Sequence, residues 1–513
     1  MPENIRALIV VLGLALTVFW LGRKHIVEIA IDDRDFKLRR NLWLCLTVLA
    51  FVSYGFWVYA ALAFVLMLVA GAKDSNRLGL YAFVVFAVPP VQAPLPAFGL
   101  VNYLLHLDHL RLLSLTLLLP SYLALRGRPD TVPFGRPLAD KLLLGYLLLQ
   151  LMLQGAVDTA TNTARSGVYA FVDVFLPYYV ASRGLRDAKG FLDVLASFVF
   201  ACLLMSAIGA FEYLKHWLLY STVAGLMGVP FGMGNYLMRS DSLRALASTG
   251  HSLALGYVVA VALAFYVFVS RAIPNKKMVV LGWATLLAGL LASVSRGPWV
   301  GAMVVLGVIM MTGPNKMSRI GRLLGIVLPV GGVLLMTPLG DKIIDLLPFV
   351  GTVDGGNVTY RQDLFNVSVE VIKMNPWLGS FDYMSQPIMQ SLIQGEGIID
   401  LVNSYLSIAL AYGLVGLGLF TGVFASAAWG VWRGMGLAGP SEETHVLGRA
   451  LLAALAGALV IIATLSSIMA VPTVYWLLAG LCVGYQRLCE REIAVTHAVR
   501  VARPRVASRN TYG

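Results

Sequence analysis

The feature that most constrains this chain is its succession of long apolar runs, such as 142–152, 279–292 and 406–432. These runs are apolar on every side of a helix, and they lack the period-two alternation that a transmembrane β-barrel strand shows. Hydrocarbon offers no partners to backbone N–H and C=O groups, so a chain crosses it as helices of about 20 residues. The pattern predicts an all-α polytopic membrane protein.

Composition excludes the ordinary soluble classes. Charged residues make up 13% of the chain and apolar residues 58%, whereas a soluble domain carries roughly 25% charged residues. The net charge of +12 indicates contact with acidic lipids rather than with nucleic acid, because the sequence offers no soluble basic domain that could dock a duplex. We therefore expect membrane lipids as partners and no nucleic acid.

Span counting predicts about fourteen membrane helices, the last two at 447–467 and 471–486. A fifteenth follows if the long run 42–70 folds as a hairpin around 53–55. Lysine and arginine concentrate in alternate loops, which the positive-inside bias assigns to the cytoplasm. These loops are 126–137, 183–190, 271–277 and 313–319.

This topology divides the chain into a helical bundle 1–337, an outer loop 338–401, C-terminal membrane helices 402–487 and a basic cytoplasmic tail 488–513. Within the outer loop, 358–374 has the apolar spacing of a helix, and Asn375-Pro376 ends it. The apolar positions are Leu364, Val367, Val371 and Met374. We expect an amphipathic helix that lies against the outer membrane surface or the bundle.

Three arginines are predicted at the outer membrane boundary, where positive charge should be depleted. Arg244 stands just before a span, Arg296 lies in a very short turn between two spans, and Arg361 lies near the start of the amphipathic helix. A guanidinium is always charged and binds phosphate through two parallel hydrogen bonds. A lipid diphosphate is therefore a candidate ligand. The alternative is that each arginine reaches lipid headgroups or pairs with a carboxylate.

Three further polar residues open predicted spans. His251 is a candidate proton acceptor or sugar hydrogen-bond partner, or else a plain helix-start residue. Asp400 and Asn403 are three residues apart, on one face of the long helix that follows. Asp400 is a candidate base or partner of a sugar hydroxyl, or else a helix N-terminal charge that the dipole favours. Asn403 is a candidate for orienting a sugar, or else a residue that makes a helix-start or interhelical hydrogen bond.

Other motifs of catalysis and cofactor binding are missing from the sequence. It contains no P-loop, no GxGxxG in a βαβ setting and no HExxH zinc motif, so it supports no nucleotide site. His106 and His109 share a helix face, but no third fixed ligand accompanies them, so an interfacial polar cap is favoured over a metal site. We expect neither a metal nor a cofactor.

Four stretches resemble the O-antigen ligase and Wzy-type polymerase family. SVSRGPWVGAMVVLGVIM is similar to the SRG-aromatic segment of that family, and TYRQDLFNVSVEVIKMNPWLGSFDY to its signature outer loop. VNSYLSIALAYGLVGLGLF is similar to the helix after that loop, and RALASTGHSLALGY resembles an upstream Arg–His segment of exopolysaccharide members. The resemblance covers about 240–420.

The resemblance implies a glycosyltransferase of the bacterial inner membrane, with a GT-C-like helical architecture. Such an enzyme uses undecaprenyl-diphosphate-linked glycans at the periplasmic face. The family's outer-loop arginines are thought to hold the diphosphate, and that role carries over to Arg296 and Arg361. Ligases of the family place a histidine directly before the asparagine of the final motif, where this chain has Val402. That departure favours a polymerase.

The resulting hypothesis is a polymerase that joins lipid-linked repeat units into an exopolysaccharide or O-antigen chain. Its catalytic candidates are Arg296, Arg361, His251 and Asp400. Its substrate-binding candidates are Arg244, Asn403, Tyr360 and Asp363. The expected partners are the lipid-linked donor and acceptor, membrane lipids and a chain-length regulator. The alternatives are a ligase that transfers glycan to lipid A-core or protein, and a polysaccharide flippase or transporter.

Overall fold

A computed structural model describes residues 1–97, 99, 102–229, 238–239, 242–314, 321, 355–393, 399–437 and 443–502. The span predicted between 320 and 337, the first part of the outer loop at 338–354 and the end of the tail at 503–513 lie outside the described residues, apart from residue 321. The part described is overwhelmingly helical, and the predicted all-α polytopic fold is confirmed.

The helices of the first half are α1 Glu3–Ile29, α2 Asp33–Val52, α3 Phe56–Lys73, α4 Arg77–Val84, α5 His109–Leu113, α6 Leu119–Arg126, α7 Leu138–Val157, α8 Ala160–Tyr169, α9 Leu176–Gly184, α10 Ala188–Lys215 and α11 Val223–Leu226. Those of the second half are α12 Ser252–Ala272, α13 Lys276–Ala292, α14 Arg296–Met311, α15 Gly355–Met374, α16 Pro387–Gln390, α17 Ser404–Leu437, α18 Glu443–Ile462 and α19 Val471–Ala502.

Shorter elements join these helices. Two π-helical stretches, Ser114–Leu118 and Ala170–Phe175, connect α5 to α6 and α8 to α9. The strands form two small antiparallel hairpins, and single 3₁₀ turns occur at Ala247–Thr249 and Tyr383–Ser385. The strands are β1 Ala93–Pro96, β2 Tyr103–Leu107, β3 Met238–Arg239 and β4 Ser242–Leu243.

Among the described residues, seven helices are long and apolar enough to cross a membrane: α1, α3, α7, α10, α12, α17 and α18. Helices α10 and α12 are buried over most of their length and form the centre of the bundle, whereas α1 and α7 expose most of their apolar surface. Exposed leucine and valine side chains on outer helices are what a lipid solvent permits. The multi-pass membrane character is thereby supported.

The long run 42–70 is not one span. Helix α2 ends at Val52 and α3 begins at Phe56, with Gly55 between them at φ 115°, a left-handed backbone that favours glycine. Gly55 N and Phe56 N donate to Leu226 O and Met227 O, which fixes this turn to the segment around α11. The break corresponds to the hairpin alternative.

Contacts between the connections define two ends of the bundle. The site end contains the turns at 53–55 and 293–295, the segment 242–251 and the connections 399–403 and 463–470; its internal bonds include Ala245 N to Ala292 O and Ser404 Oγ to Leu465 O. The basic end contains the connections at 30–32, 74–76, 127–137, 185–187 and 273–275, and lysine and arginine concentrate in these connections and in the helix ends beside them.

The basic end is held by buried ion pairs. Arg39 lies fully buried between Asp74, 2.8 Å from its Nε, and Asp193. Arg183 pairs with Asp140, and both side chains are fully buried. Buried charges are stable only when paired and hydrogen-bonded. These pairs therefore fix the register of the helices that carry them.

The predicted amphipathic helix of the outer loop is present as α15. Its residues Leu364 and Val371 are buried in a small core with Met389 and Leu410. Met374 and the neighbouring Phe365 are exposed instead. Helix α15 therefore packs against α16 and the start of α17 through a narrower stripe than the sequence pattern suggested.

The loop after α15 docks by its backbone onto a break in α17. Gly413 has φ 64° and ψ −169°, and Gly379 has φ 69°. Ser380 N donates to Leu410 O at 2.8 Å, and Leu414 N donates to Pro376 O at 2.8 Å. A Cβ on either glycine would collide with the backbone of the other segment. Glycine is thus required twice at this junction, for conformation and for space.

Candidate active site

The turn between α13 and α14 presents Arg296. Val294 adopts the left-handed region at φ 44°, and Ser295 Oγ donates to Ser293 O at 2.8 Å, so three residues reverse the chain. Arg296 is the first residue of α14 and is half-buried. A Cβ at Gly297 would collide with Thr464 Oγ1. The small residue therefore brings this turn against the connection 463–470.

Arg244 reaches the same turn from a different part of the chain. Its Nη2 donates to Ser295 Oγ at 3.1 Å, and the next residue, Ala245, donates its N–H to Ala292 O at 3.0 Å. The structure thus brings Arg244 and the Ser295–Arg296 turn together, although 51 residues separate Arg244 from Ser295. Arg244 and Arg296 therefore belong to one region of the site end.

His251 is the N-cap of α12. Its Nδ1 accepts the N–H of Leu253 at 3.1 Å. Burial, and then the neighbouring Arg244 cation, lower the pKa of His251 to about 4, so the ring is neutral at neutral pH. A neutral imidazole whose Nδ1 accepts a bond carries its proton on Nε2. In this arrangement His251 offers a hydrogen-bond donor rather than a base.

Arg361 approaches from the outer loop. Its side chain is exposed, and its Nη2 lies 3.5 Å from Thr464 O, to which it donates. Thr464 therefore has Gly297 against its side chain and Arg361 against its carbonyl. Arg361 and the turn that carries Arg296, which are 65 positions apart in the sequence, therefore meet at Thr464.

Tyr360 and Asp400 form the adjoining part of the site. Tyr360 OH donates to Asp400 O at 3.2 Å and accepts the N–H of Asp400 at 3.1 Å. The Asp400 carboxylate is exposed and accepts Ser466 Oγ at 3.3 Å. Burial raises the pKa of Tyr360, so this phenol stays protonated. Its two hydrogen bonds hold the backbone of Asp400 in place. The Asp400 carboxylate therefore faces solvent beside the connection 463–470.

Asn403 has a structural role in this arrangement. Its Oδ1 accepts the N–H groups of Tyr405 at 2.9 Å and Leu406 at 3.2 Å, which is the geometry of a helix cap. The helix-start reading of Asn403 is therefore the one that the contacts support.

Asp363 is placed apart from the other candidates. It is exposed on α15 two positions after Arg361, which corresponds to about 200° around the helix axis. The described contacts do not connect Asp363 with Thr464 or Asp400. The structure therefore gathers seven of the eight sequence candidates around the site end and leaves Asp363 on another face of its helix.

Sequence reasoning missed the connection 463–470. The span predicted at 447–467 is too long, because α18 ends at Ile462. The residues that follow make the bonds that assemble the site: Thr464 O to Arg361, Ser466 Oγ to Asp400 and Leu401 O, and Ser467 Oγ to Ser404. The cluster TLSS between two apolar runs is the signal that could have found this connection, since three Ser/Thr residues within four positions indicate a loop.

The assembled groups are suited to anions and hydroxyl groups. Three arginines can neutralise a diphosphate, His251 can donate a hydrogen bond, and the Asp400 carboxylate can accept a proton. Among the described residues, no three His, Cys, Asp or Glu side chains are grouped so as to hold a metal ion. Charge stabilisation and proton transfer are the chemistry that these side chains offer.

The fold and site are those of a multi-pass membrane protein with a cationic site at one end of its helices. A family model described as O-antigen ligase matches residues 281–421. The resemblance to the O-antigen ligase and Wzy-type family is thereby confirmed, and it supports a glycan-transferring function in a membrane. The matched residues include Arg296, Arg361, Asp400 and Asn403, while Arg244, His251 and Thr464 lie outside them. No curated protein matches the chain.

Proposed function

We propose that this protein polymerises undecaprenyl-diphosphate-linked repeat units into an exopolysaccharide or O-antigen chain. The observation that supports this most is the convergence of Arg296, Arg361 and Arg244 on the adjoining Ser295 turn and Thr464 connection. Three cations at the membrane boundary fit the charge of a lipid diphosphate. The natural setting would be the bacterial inner membrane, with the site end in the periplasm.

In the proposed reaction, a hydroxyl oxygen of the acceptor glycan attacks the anomeric carbon of the donor. The bond between that carbon and the diphosphate oxygen breaks, and undecaprenyl diphosphate leaves with the electron pair. Arg296 and Arg361, helped by Arg244, stabilise the charge that develops on the leaving group. The lipid diphosphate supplies the activation, so the proposal requires no cofactor.

The proton of the attacking hydroxyl passes to Asp400. The sequence left His251 and Asp400 as alternatives, and the bond from Leu253 N to His251 Nδ1 favours Asp400. His251 then donates its Nε2–H to a phosphate or sugar oxygen. Tyr360 holds the backbone of Asp400 in place. Asn403 caps α17 below it.

A polymerase is preferred to a ligase because Val402 stands where family ligases have histidine. The acceptor is then a second lipid-linked unit, and a chain-length regulator is a further proposed partner. A flippase is disfavoured because the described polar candidates lie at one end of the bundle rather than along a path through it.

The direct test uses purified protein in proteoliposomes with a lipid-linked repeat unit. We expect a ladder of products that retain a diphospholipid at the reducing end by mass spectrometry. Arg296→Ala and Arg361→Ala should each lower the rate about 10²–10³-fold, the usual loss when a donor to a developing oxyanion is removed. Lys277→Ala, which changes a cation at the basic end, serves as the matched control and should keep the ladder.

Three results would overturn the proposal. Normal ladders from both arginine variants would remove their assigned roles. Product attached to lipid A-core or protein would identify a ligase. Transfer of the lipid-linked unit across the bilayer without elongation would identify a transporter.

A further inference from the structure

We propose that Glu212 is a positioning residue that holds the Arg244–His251 segment in its active conformation, an inference that rests on the function proposed above. Glu212 lies near the end of α10, and its side chain is fully buried. It therefore cannot touch a glycan. Any effect that it has on the reaction must pass through the groups it contacts.

Backbone N–H groups of this region surround the Glu212 carboxylate. Its Oε2 accepts Leu246 N at 3.0 Å and Ala247 N at 2.8 Å, while its Oε1 accepts Leu219 N at 2.9 Å. Burying a carboxylate is costly unless such bonds compensate for lost water. Three donors from two segments supply that compensation.

The conformation of the segment matches the carboxylate. Leu246 is in the right-handed helical region, at φ −113° and ψ −32°, and Ala247 is left-handed at φ 47°. Successive N–H groups in this right–left combination point into one concavity that binds an anion. For alanine the left-handed conformation is disfavoured, because its Cβ comes too close to the following carbonyl oxygen. The segment keeps the left-handed conformation at Ala247 because the Glu212 carboxylate occupies the concavity.

This short stretch carries both candidate groups. Arg244 lies two residues before Leu246, and His251 lies four residues after Ala247. Thr249 Oγ1 donates to Leu246 O at 2.7 Å, which continues the fixed geometry toward His251. If the concavity opened, Arg244 would lose its position beside Ser295. His251 would likewise lose its position at the start of α12. Glu212 thus acts on the site from inside the bundle.

The test combines hydrogen exchange with kinetics on full-length protein in detergent or liposomes. In Glu212→Gln, one acceptor oxygen becomes an amide donor that faces an N–H group. We expect amide exchange in 243–251 to accelerate about tenfold, the effect of losing one buried hydrogen bond, and ladder formation to slow by a similar factor. In an Arg244→Ala/His251→Ala background the same change should slow the ladder less than twofold, because the groups that it positions are gone.

Asp140→Asn is the matched control, since Asp140 is an equally buried carboxylate at the basic end. It should lower the melting temperature without accelerating exchange in 243–251. If Glu212→Gln is not recovered folded, Glu212→Asp, which keeps both oxygens one methylene further back, carries the same test.

The possible outcomes separate the two proposals. Unchanged exchange in 243–251, or an equal kinetic loss in the wild-type and double-variant backgrounds, would overturn the positioning role. If the wild type makes no ladder but Glu212→Gln still exchanges faster in 243–251, the positioning role of Glu212 stands. The proposed polymerase function is then overturned instead.

Discussion

The two ends of the bundle use arginine in different ways. At the basic end, Arg39 and Arg183 are fully buried and bind carboxylates of neighbouring helices. At the site end, Arg244 donates to the hydroxyl of Ser295, and Arg361 donates to the carbonyl of Thr464. Hydroxyl and carbonyl oxygens orient a guanidinium group by accepting its N–H groups. The buried pairs of the basic end hold helices together, and we propose that the arginines of the site end present charge to a ligand.

Removing Arg39 should have the largest effect on stability. Arg39→Ala leaves Asp74 and Asp193 buried without their cation, and breaking a buried pair in this way costs about 3–5 kcal/mol. The measurement is thermal unfolding in detergent, with Arg361→Ala as the comparison, whose melting temperature should change little because its side chain is exposed. Equal losses in the two variants would erase the distinction between the ends.

Gly413→Ala tests the junction between the outer loop and α17. The residue would be placed at φ 64° and ψ −169°, a conformation essentially restricted to glycine that costs roughly 1–3 kcal/mol, and its Cβ would also collide with the backbone at Trp377. We expect α15 to lose its packing position against α17. The rate of ladder formation should therefore fall at least tenfold.

Gly418→Ala is the matched control for that prediction. It lies in the same helix, and a Cβ there would meet no atom within 4 Å. It should be neutral or stabilise α17 by up to about 1 kcal/mol through helix propensity. Full activity in Gly413→Ala would show that the site end does not depend on this junction.

Arg244→Ala tests whether the charge of Arg244 shifts the pKa of the neighbouring His251. Burial and Arg244 together lower the pKa of His251 to about 4, so the ring becomes charged, and gives up Nδ1 as a cap, only below that pH. Without Arg244 the pKa should rise, yet stay below the ordinary value of about 6.5 because burial remains.

The acid limb of kcat/KM, measured against each variant's own plateau, should therefore move to higher pH in Arg244→Ala. Arg361→Ala should leave the limb where it is in the wild type. An unmoved limb in Arg244→Ala would mean that this arginine is as fully neutralised as those at the basic end.

The smallest effect is expected at Asn403. Asn403→Ala removes a helix cap and should destabilise the protein by about 1 kcal/mol, with Asn403→Ser restoring most of that loss. Initial rates corrected for folded protein should fall less than twofold. A rate loss that serine does not restore would give Asn403 a direct role toward the glycan.

The sequence was sufficient for the fold class, the helix in the outer loop and the arginines that gather at one end. Long apolar runs and the charge depletion of one set of loops carry those conclusions because the bilayer imposes them on every span. The break at 53–55 was available as an alternative, since Gly55 interrupts an apolar run that is longer than one span requires.

Other parts of the site depend on contacts between distant segments. Thr464 looked like the end of a span, and only the packing of α14 against α18 brings its side chain to Gly297. Glu212 is a single charge beside a long apolar run in the sequence, and nothing local shows that Leu246 and Ala247 fold back over it. The role of His251 depends on which ring nitrogen accepts a hydrogen bond, and the N–H of Leu253 in the first turn of α12 fixes that choice.

The junction between the outer loop and α17 limits how the protein can move. Backbone groups at a break in a membrane helix must find partners, because lipid provides none. Here the partners of Leu410 O, Leu414 N and Val415 N belong to 376–380. Swinging the loop away as a lid would leave those groups bare at the edge of the bilayer. A movement that admits a long glycan must therefore bend the chain on either side of this junction and keep the junction itself closed.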